Sequence, residues 1–336
     1  MSGQAASMPA APALAVLRQP LTWLLVALVM VGVLSSPYFL SADNLANLLR
    51  QLTVFGLLAL GMMLVMLTGR IDLSVGATMV FSVIAAVEVT TLVGPLLELR
   101  VLGRGNTFVG PTVPLMALTL LIGALVGLVN GLGVTHGRVA PFIMTLVTLS
   151  AMRGLSYVLT NGRPYYLRTE EYRWLGETSF GPIPVAFCLL AAVFVLMAWC
   201  MHAHVAGRRI YAIGGDEKTA RFAGIRVAGW ITSAYVASGL CAALAGLVLT
   251  SRANSVDAPM GTGYELSAIA IAVLGGTSLA GGIGSPYRTL CAALLFTVGL
   301  NLLTLHAVNA WYQELIIGAV LIGAVAATAR LQRRAT

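Results

Sequence analysis

Apolar segments long enough to cross a lipid bilayer follow one another along most of this chain. A membrane-spanning helix needs about 20 predominantly apolar residues, and ten segments come close to that length. They cover about residues 20–37, 51–68, 72–93, 112–134, 140–160, 182–204, 229–250, 262–279, 286–306 and 311–328. Only 10% of the residues are charged, against about 25% in soluble domains, and no alternating pattern is long enough for a membrane barrel. The sequence therefore predicts an all-α polytopic membrane protein with about ten transmembrane helices.

The distribution of basic residues predicts how these helices are oriented. If the N-terminus is cytoplasmic, the connectors on that side hold most of the arginines, including those of the loop at about 205–228. Connectors rich in Lys and Arg are retained in the cytoplasm. We therefore expect a disordered cytoplasmic tail at 1–19, one transmembrane domain at 20–328 and a basic cytoplasmic tail at 329–336.

The composition argues against several other classes of protein. The formal net charge of +8 resides in short connectors, where membrane orientation explains it, so nucleic-acid binding is not predicted. The histidines form no H-E-x-x-H motif and no serine stands in G-x-S-x-G, so we predict neither an enzyme nor a metal site. The cysteines form no C-x-x-C pair and predict no disulfide or metal framework; they are Cys188, Cys200, Cys241 and Cys291.

The sequence contains no nucleotide-binding loop. A P-loop requires the pattern G-x-x-x-x-G-K-[ST]. Lys218 is the only lysine, and Glu217 stands where the last glycine of that pattern must be. We therefore predict no cofactor in this chain, so that any ATP-Mg would bind to another subunit.

Glycines interrupt the apolar sequence between the eighth and ninth segments. The stretch from Ala268 to Ser285 reads AIAIAVLGGTSLAGGIGS. The glycines and polar residues of its central part, from Gly275 to Gly284, are Gly275, Gly276, Thr277, Ser278, Gly281, Gly282 and Gly284. Irregular backbone at membrane depth is tolerated where protein buries it or where it lines a cavity. Two interpretations remain open: a tight turn between closely crossing helices, or a hinge or gate that faces a pathway.

The loop at about 205–228 predicts a short helix at the membrane surface. Asp216 is a favourable N-cap, Glu217 suits the first helical turn, and Gly224 suits the position after the C-cap. One interpretation is a connector that Arg221 and Arg226 hold at the lipid headgroups. The other is a helix that docks on a partner protein.

The loop at about 161–181 combines aromatic and charged residues on the opposite side of the membrane. Its aromatic residues are typical of a belt at the membrane boundary. Its charged residues suit a docking surface for a soluble partner; they include Arg168, Glu170, Glu171 and Arg173.

A few polar residues lie within or beside the apolar segments. The candidates for the lining of a pathway are Asp72, Ser74, Asn130 and Asn301. Hydrogen bonding between helices explains each of them equally well. Asp72 also suits a cap of the third segment or a partner of Arg70. Glu314 lies about one turn into the last segment and is the acid that an ion-driven transporter would use.

Three motifs in order resemble one family. They are GMMLVMLTGRIDLSVGA at Gly61–Ala77, RIYAIGGDEKTARFAGI at Arg209–Ile225 and GTGYELSAIAIAVLGGTSLAGGIGS at Gly261–Ser285. They are similar to the permease subunits of ribose-type monosaccharide importers of the ATP-binding-cassette (ABC) class. The general likeness extends from about Pro37 to Leu321.

The resemblance implies a type II ABC importer permease in the bacterial inner membrane. Such a permease forms a homodimer with the pathway at its two-fold interface, and works with a cytoplasmic ATPase subunit and a periplasmic sugar-binding protein. It implies that a loop coupled to the ATPase contains Asp216, Glu217, Lys218, Arg221, Phe222 and Gly224. The glycine stretch at Gly275–Gly284 then becomes the expected hinge or gate, and the loop at 161–181 the expected docking site of the binding protein.

The sequence departs from the family pattern at a few positions. Arg70 stands where a second glycine is usual, Ser267 where an acid usually follows Glu-Leu, and Pro286 and Arg288 where the next helix begins. These departures leave the sugar open. Two other functional classes also remain, a secondary transporter driven by an ion gradient and a structural membrane scaffold.

Overall fold

The computed structural model describes residues 20–93, 102–104, 107–309, 311–313, 315–316 and 318–319. Its helices are α1 (Pro20–Ser35), α2 (Ala42–Leu67), α3 (Val75–Val93), α4 (Thr112–Thr135), α5 (Pro141–Thr160), α6 (Glu170–Glu177), α7 (Val185–His202), α8 (Val205–Gly215), α9 (Glu217–Phe222), α10 (Val227–Ala253), α11 (Tyr264–Leu274) and α12 (Pro286–Leu305). The predicted tails at 1–19 and 329–336, Glu314 and most of the tenth predicted segment lie outside the described residues.

Seven of the described helices are long and apolar enough to cross a membrane, so the predicted number of about ten is not confirmed. They are α2, α3, α4, α5, α7, α10 and α12. Two further predicted spans are shorter apolar helices, α1 and α11. Helix α11 ends at Leu274 because Gly275 caps it and Gly276 takes a left-handed φ of 81°, which favours glycine.

Helix α2 begins well before its predicted segment, at Ala42 rather than at about residue 51. The side chain of Ser41 accepts a hydrogen bond from the amide of Asn44 and caps the helix. The first turns contain Asp43 and Arg50, so an apolar pattern alone placed the start too late.

Helix α2 forms the centre of the helical core. All its residues from Leu52 to Leu67 are buried, and α10, α12, α11 and α7 pack around it. Burial on all sides explains why this helix is apolar around its whole circumference.

Helices α4 and α10 cross closely because glycines line their contact. A Cβ at Gly123 would lie 2.6 Å from the carbonyl oxygen of Gly239, and one at Gly127 would overlap the backbone of Tyr235. The third glycine at this spacing, Gly131, lies against Thr232. Small residues four positions apart allow such close approach of transmembrane helices.

A small sheet stands at one end of the helices, which the sequence did not predict. Its strands are β1 (Leu102–Arg104), β2 (Thr107–Val109), β3 (Tyr165–Leu167) and β6 (Ser255–Val256), in the order β1-β2-β3-β6. Strands β2 and β3 run parallel, and the outer pairs run antiparallel. A separate hairpin joins β4 (Ser179–Phe180) to β5 (Ile183–Pro184).

The two ends of α2 define the two ends of the helical domain. Arg50, near its start, donates to the carbonyl oxygen of Glu177 at 2.9 Å and to Oγ of Ser179 at 3.0 Å. Leu67, its last residue, accepts from the amide of Gly282 at 3.0 Å. A helix of 26 residues is about 39 Å long. We call these the sheet end and the turn end.

Candidate functional site

Helix α9 at the turn end has the caps that its sequence predicts. The side chain of Asp216 accepts hydrogen bonds from Oγ1 of Thr219 at 2.5 Å and from the amide of Lys218 at 2.9 Å. These bonds hold the pKa of the Asp216 carboxyl below its usual range. Gly224 follows the helix with a φ of 79°, and the amide of Ile225 donates to the carbonyl of Ala220. Helix α9 is therefore closed at both ends.

An ion pair joins α9 to the connector between α2 and α3. Nη2 of Arg70 lies 2.9 Å from Oε2 of Glu217, and Nη2 of Arg221 lies 3.0 Å from Oε1 of the same carboxylate. The hydrogen bond from Arg70 is the main cause that holds the pKa of Glu217 below its usual range. Arg70 also donates to the carbonyl oxygen of Thr68 at 2.5 Å. The residue that departs from the family pattern thus orients the first turn of α9.

Phe222 extends away from this anchored helix. Its side chain is 92% exposed. Ala220 on the other face is buried. One face of α9 therefore packs on the chain, while the other presents an aromatic side chain at the end of the spans.

The glycine stretch forms a compact turn against two other segments. The amide of Gly282 binds the carbonyl of Leu67, and a Cβ at Gly281 would lie 2.8 Å from the amide nitrogen of Gly69 and 2.9 Å from the carbonyl oxygen of Gly214. Tyr211 donates to the carbonyl of Gly284 at 2.9 Å. The backbone of this turn thus contacts the backbone of the connector 67–69 and of the end of α8. Such close contacts require glycines, because a Cβ atom would overlap the neighbouring backbone.

The two polar side chains of the glycine stretch are buried. Thr277 and Ser278 are 0% and 4% exposed. Oγ of Ser278 accepts from the amide of Ala280 at 3.2 Å, whereas Oγ1 of Thr277 has no hydrogen-bond partner among the described residues. Both interpretations of this stretch remain open, because a tight turn and a gate share this geometry.

Three of the four predicted pathway residues meet in one buried hydrogen-bond network. Asp72 accepts at Oδ1 from the amide and Oγ of Ser74, at 3.0 and 2.6 Å, and at Oδ2 from Ser238 at 3.1 Å. Nδ2 of Asn130 donates to Oγ of Ser74 at 2.8 Å, and Thr148 donates to Oδ1 of Asn130 at 2.6 Å. The network joins α4, α5 and α10 to the start of α3, and Arg70 pairs with Glu217 rather than with Asp72.

The fourth candidate lies elsewhere. Asn301 in α12 exchanges two side-chain hydrogen bonds with Asn44 in α2, at 2.8 and 3.0 Å. It does not join the Asp72 network. The assignment of all four residues to a pathway stays a prediction.

The charged residues of the predicted docking surface are exposed at the sheet end. They are Arg168, Glu170, Glu171 and Arg173, on or beside α6. Arg173 forms an ion pair with Glu177 at 2.9 Å. The pKa of the Glu177 carboxyl is held below its usual range, mainly by the hydrogen bond from the side-chain amide of Asn254 and next by the one from Arg173.

One aromatic residue of this loop anchors α6 instead of facing lipid. Tyr172 is fully buried, and its hydroxyl lies 2.6 Å from Oγ1 of Thr250 in α10. The amide of Gly176 donates to Oγ of Ser251 at 2.9 Å. An aromatic belt is therefore wrong for Tyr172. Its contacts span more than 70 positions along the sequence, so no local pattern could have identified them.

Known transport proteins match this chain over most of its length. A family model described as branched-chain amino acid transport system / permease component matches residues 44–325. The ribose import permease protein RbsC of Bacillus subtilis (strain 168) is 40% identical over 309 residues, which cover 91% of this chain and 90% of that protein. RbsC of Escherichia coli (strain K12) is 38% identical over 314 residues, covering 90% and 91%. The D-allose transport system permease protein AlsC of Escherichia coli (strain K12) is 33% identical over 298 residues, covering 88% and 86%.

Proposed function

The chain belongs to the family of branched-chain amino acid transport system permease components, and on that premise we propose that it is the transmembrane permease of an ABC importer for a monosaccharide. One observation carries the choice of substrate. Relatives named as ribose permeases are 38–40% identical over nine tenths of both chains. A ribose-like pentose is therefore the first candidate, and the D-allose relative makes a hexose the next one to test.

A separate ATPase subunit supplies the energy in this proposal. Helix α9 supports it, because the helix is capped at both ends, held by Arg70 and presents the exposed Phe222. A rigid short helix transmits the movement of a bound partner to the segments it is tied to. Here those segments are the α2–α3 connector and, through α8, the glycine turn. ATP-Mg binds to the partner subunit and not to this chain.

A periplasmic sugar-binding protein docks at the sheet end in this proposal, opposite the ATPase. The exposed charges on and beside α6 support this assignment, since complementary charge steers the encounter of soluble partners. With the binding protein at the sheet end, the proposal places the turn end and both termini in the cytoplasm, and the chain in the bacterial inner membrane.

Two copies of the chain enclose the pathway between them. The similarity to ribose import permeases supports this arrangement, because permeases of that type form homodimers with the pathway at the two-fold interface. The translocation route then runs along the boundary between copies. The permease contributes by binding the ATPase differently in its inward-open and outward-open states, since only differential affinity shifts such an equilibrium.

Reconstitution into proteoliposomes tests the function. The chain would be purified together with a candidate ABC ATPase subunit, and ATP would be enclosed on the side of the membrane where the ATPase domains lie. The binding protein, loaded with radiolabelled ribose, would be added on the opposite side. We expect ribose uptake that requires both ATP and the binding protein, with D-allose and L-arabinose compared in parallel. Uptake that follows an imposed ion gradient without the ATPase would instead establish a secondary transporter, and no uptake of any sugar would favour a scaffold.

A further inference from the structure

A basic cavity of about 530 Å³ lies at the turn end, between α9, the last turn of α4 and the first turn of α10. Its charged lining consists of Arg70, Arg138, Arg221, Arg226 and Glu217. The remaining wall is largely apolar and includes residues from the ends of the two long helices. Four cations thus surround one carboxylate beside an apolar surface.

The protein itself neutralises this charge only in part. Glu217 engages Arg70 and Arg221. The exposed side chains of Arg138 and Arg226 have no ion pair within the described part of the chain. An anion in the cavity would complete the charge balance.

Arg70 also presents a buried donor that lacks an acceptor. Its Nε is shielded from solvent and has no hydrogen-bond partner among the described residues, while its side chain is only 16% exposed. Burial of an unsatisfied donor is unfavourable, more so in a charged group. Of the charged groups at the cavity, the Arg70 guanidinium is therefore the one whose hydrogen bonds the described residues leave incomplete.

The backbone at Arg138 is held in an uncommon conformation. Its φ is 53°, in the left-handed region that few residues other than glycine adopt. Such strain persists where the surrounding structure fixes it, and it concentrates at binding sites. Here it turns the connector between α4 and α5 so that Arg138 joins the lining of the cavity.

We propose that this cavity binds the phosphate group of an anionic phospholipid. Helices α4 and α10 are both long and apolar enough to cross the membrane, so a cavity at their ends lies at the level of the lipid headgroups. The planar guanidinium matches phosphate oxygens bidentately, and basic pockets between transmembrane helices bind anionic headgroups. The exposed apolar side chains Leu132 and Val139 lie on either side of Arg138 in the sequence and suit the acyl chains. A lipid bound here contacts Arg221 on α9 and Arg138 before α5, and therefore restrains the helix that is proposed to meet the ATPase.

Lipid binding to the full chain in nanodiscs, without the ATPase, tests the proposal. Nanodiscs would contain phosphatidylcholine alone or with phosphatidylglycerol, and native mass spectrometry would count the lipids retained. We expect phosphatidylglycerol to be retained selectively, and R138Q and R226Q each to weaken its binding about fivefold, in line with the contribution of one arginine at a membrane surface. Glutamine has the same backbone strain at position 138, so R138Q isolates the charge.

Arg208→Gln is the matched control, since Arg208 is an exposed arginine of α8 that does not line the cavity. If R208Q weakened phosphatidylglycerol binding as much as R138Q and R226Q do, the effect would come from general surface charge, and the proposed lipid site would be wrong. Displacement of phosphatidylglycerol by inorganic phosphate at similar concentration would assign the cavity to free anions. If R138Q and R226Q weakened ATPase association and left lipid retention unchanged, the arginines would bind an acidic protein surface, and the lipid site would be wrong. Because the lipid count needs no ATPase and no sugar, failure of the importer function would leave this result intact.

Discussion

At the scale of single residues, Arg70 places α9 and contributes little to overall stability. The side chains of Arg70 and Glu217 are 16% and 40% exposed, and ion pairs of this kind contribute about 0–1 kcal/mol. Their value lies in geometry, because the pair connects a helix proposed to touch the ATPase with the connector between two core helices. A substitution here should change coupling more than folding.

The pair between Arg70 and Glu217 predicts a specific coupling defect. R70Q and E217Q should each lower the sugar transported per ATP hydrolysed severalfold, and the double variant should be little worse than either single one, since all three lack the same contact. Uptake and ATP hydrolysis would be measured together in proteoliposomes. R208Q removes an exposed arginine of α8 that forms no ion pair within the described part of the chain, and it is the control. Additive losses in the double variant would show that the two residues act separately.

The lowered pKa of Glu217 fixes the pH window of this contact. A carboxyl whose pKa is lowered in the folded state gives stability that is present above its unfolded pKa of about 4.3 and lost as the pH falls through the folded value. The amides of α9 should therefore show constant hydrogen-exchange protection from about pH 5 to pH 8. In R70Q, α9 should be less protected throughout that range.

Asp72 belongs to the residues that hold the core together. It accepts three hydrogen bonds from Ser74 and Ser238 in a site that is 2% exposed. D72A leaves those donors without their acceptor, which costs about 1–3 kcal/mol. We expect a lower apparent melting temperature in detergent, measured by the loss of the monodisperse peak after heating. D43A removes an exposed acid from the first turn of α2 and serves as control, and equal melting temperatures would show that the network does not support the fold.

At the scale of elements, the glycine turn packs against the end of α8 through backbone contacts. Two adjacent glycines of α8 allow these contacts to be tested. A Cβ at Gly214 would overlap the carbonyl oxygen of Leu67 and the amide of Gly282, whereas a Cβ at Gly215 meets nothing within 4 Å. G214A should thus separate α8 from the turn at a cost of about 1–3 kcal/mol, with reduced transport. G215A should match the wild type in melting temperature and uptake. Similar behaviour of both variants would contradict this packing.

A substitution in α9 should weaken binding of the ATPase without changing the stability of the fold. F222A removes a side chain that is 92% exposed and should leave the melting temperature unchanged. It should weaken association with the ATPase by about tenfold or more, because exposed aromatic residues often dominate protein interfaces. Co-purification and titration with the ATPase would measure this effect. F180A alters another exposed phenylalanine at the sheet end and should bind the ATPase normally, and full ATPase binding by F222A would move the docking surface elsewhere.

The elements differ in how well local sequence determines them. Helix α9 was predictable because Asp216 and Gly224 are cap signals within a few residues of it. The sheet was not predictable, because its strands have only two or three residues and pair with residues far away in the sequence, as Phe108 does with Leu167. The contact of Leu67 with Gly214 and Gly282 was equally hidden, because a glycine pattern shows that close approach is possible but not what approaches. Hydropathy predicted where most long helices run, and the fold of the connectors depended on tertiary contacts.

At the scale of the whole molecule, the two ends of the helical domain carry different chemistry. The sheet end presents acidic and basic side chains together on and beside α6, whereas the turn end gathers arginines around α9. This asymmetry agrees with the positive-inside rule if the turn end is cytoplasmic. The proposed partners depend on that orientation, since an ATPase and a sugar-binding protein occupy opposite compartments.

Labelling of single cysteines tests the orientation directly. The four native cysteines would first be replaced by alanine, and then Glu170→Cys in α6 or Lys218→Cys in α9 introduced, both at exposed positions. A membrane-impermeant maleimide added to cells with a permeabilised outer membrane should label E170C at once and K218C only after the inner membrane is opened. Ala220→Cys, at a position that is 3% exposed and two residues from Lys218, should stay unlabelled in both conditions and so controls for non-specific access. Labelling in the reverse order would place Phe222 in the periplasm, where it could not meet an ATPase, and would refute the proposed coupling surface whatever the transported sugar.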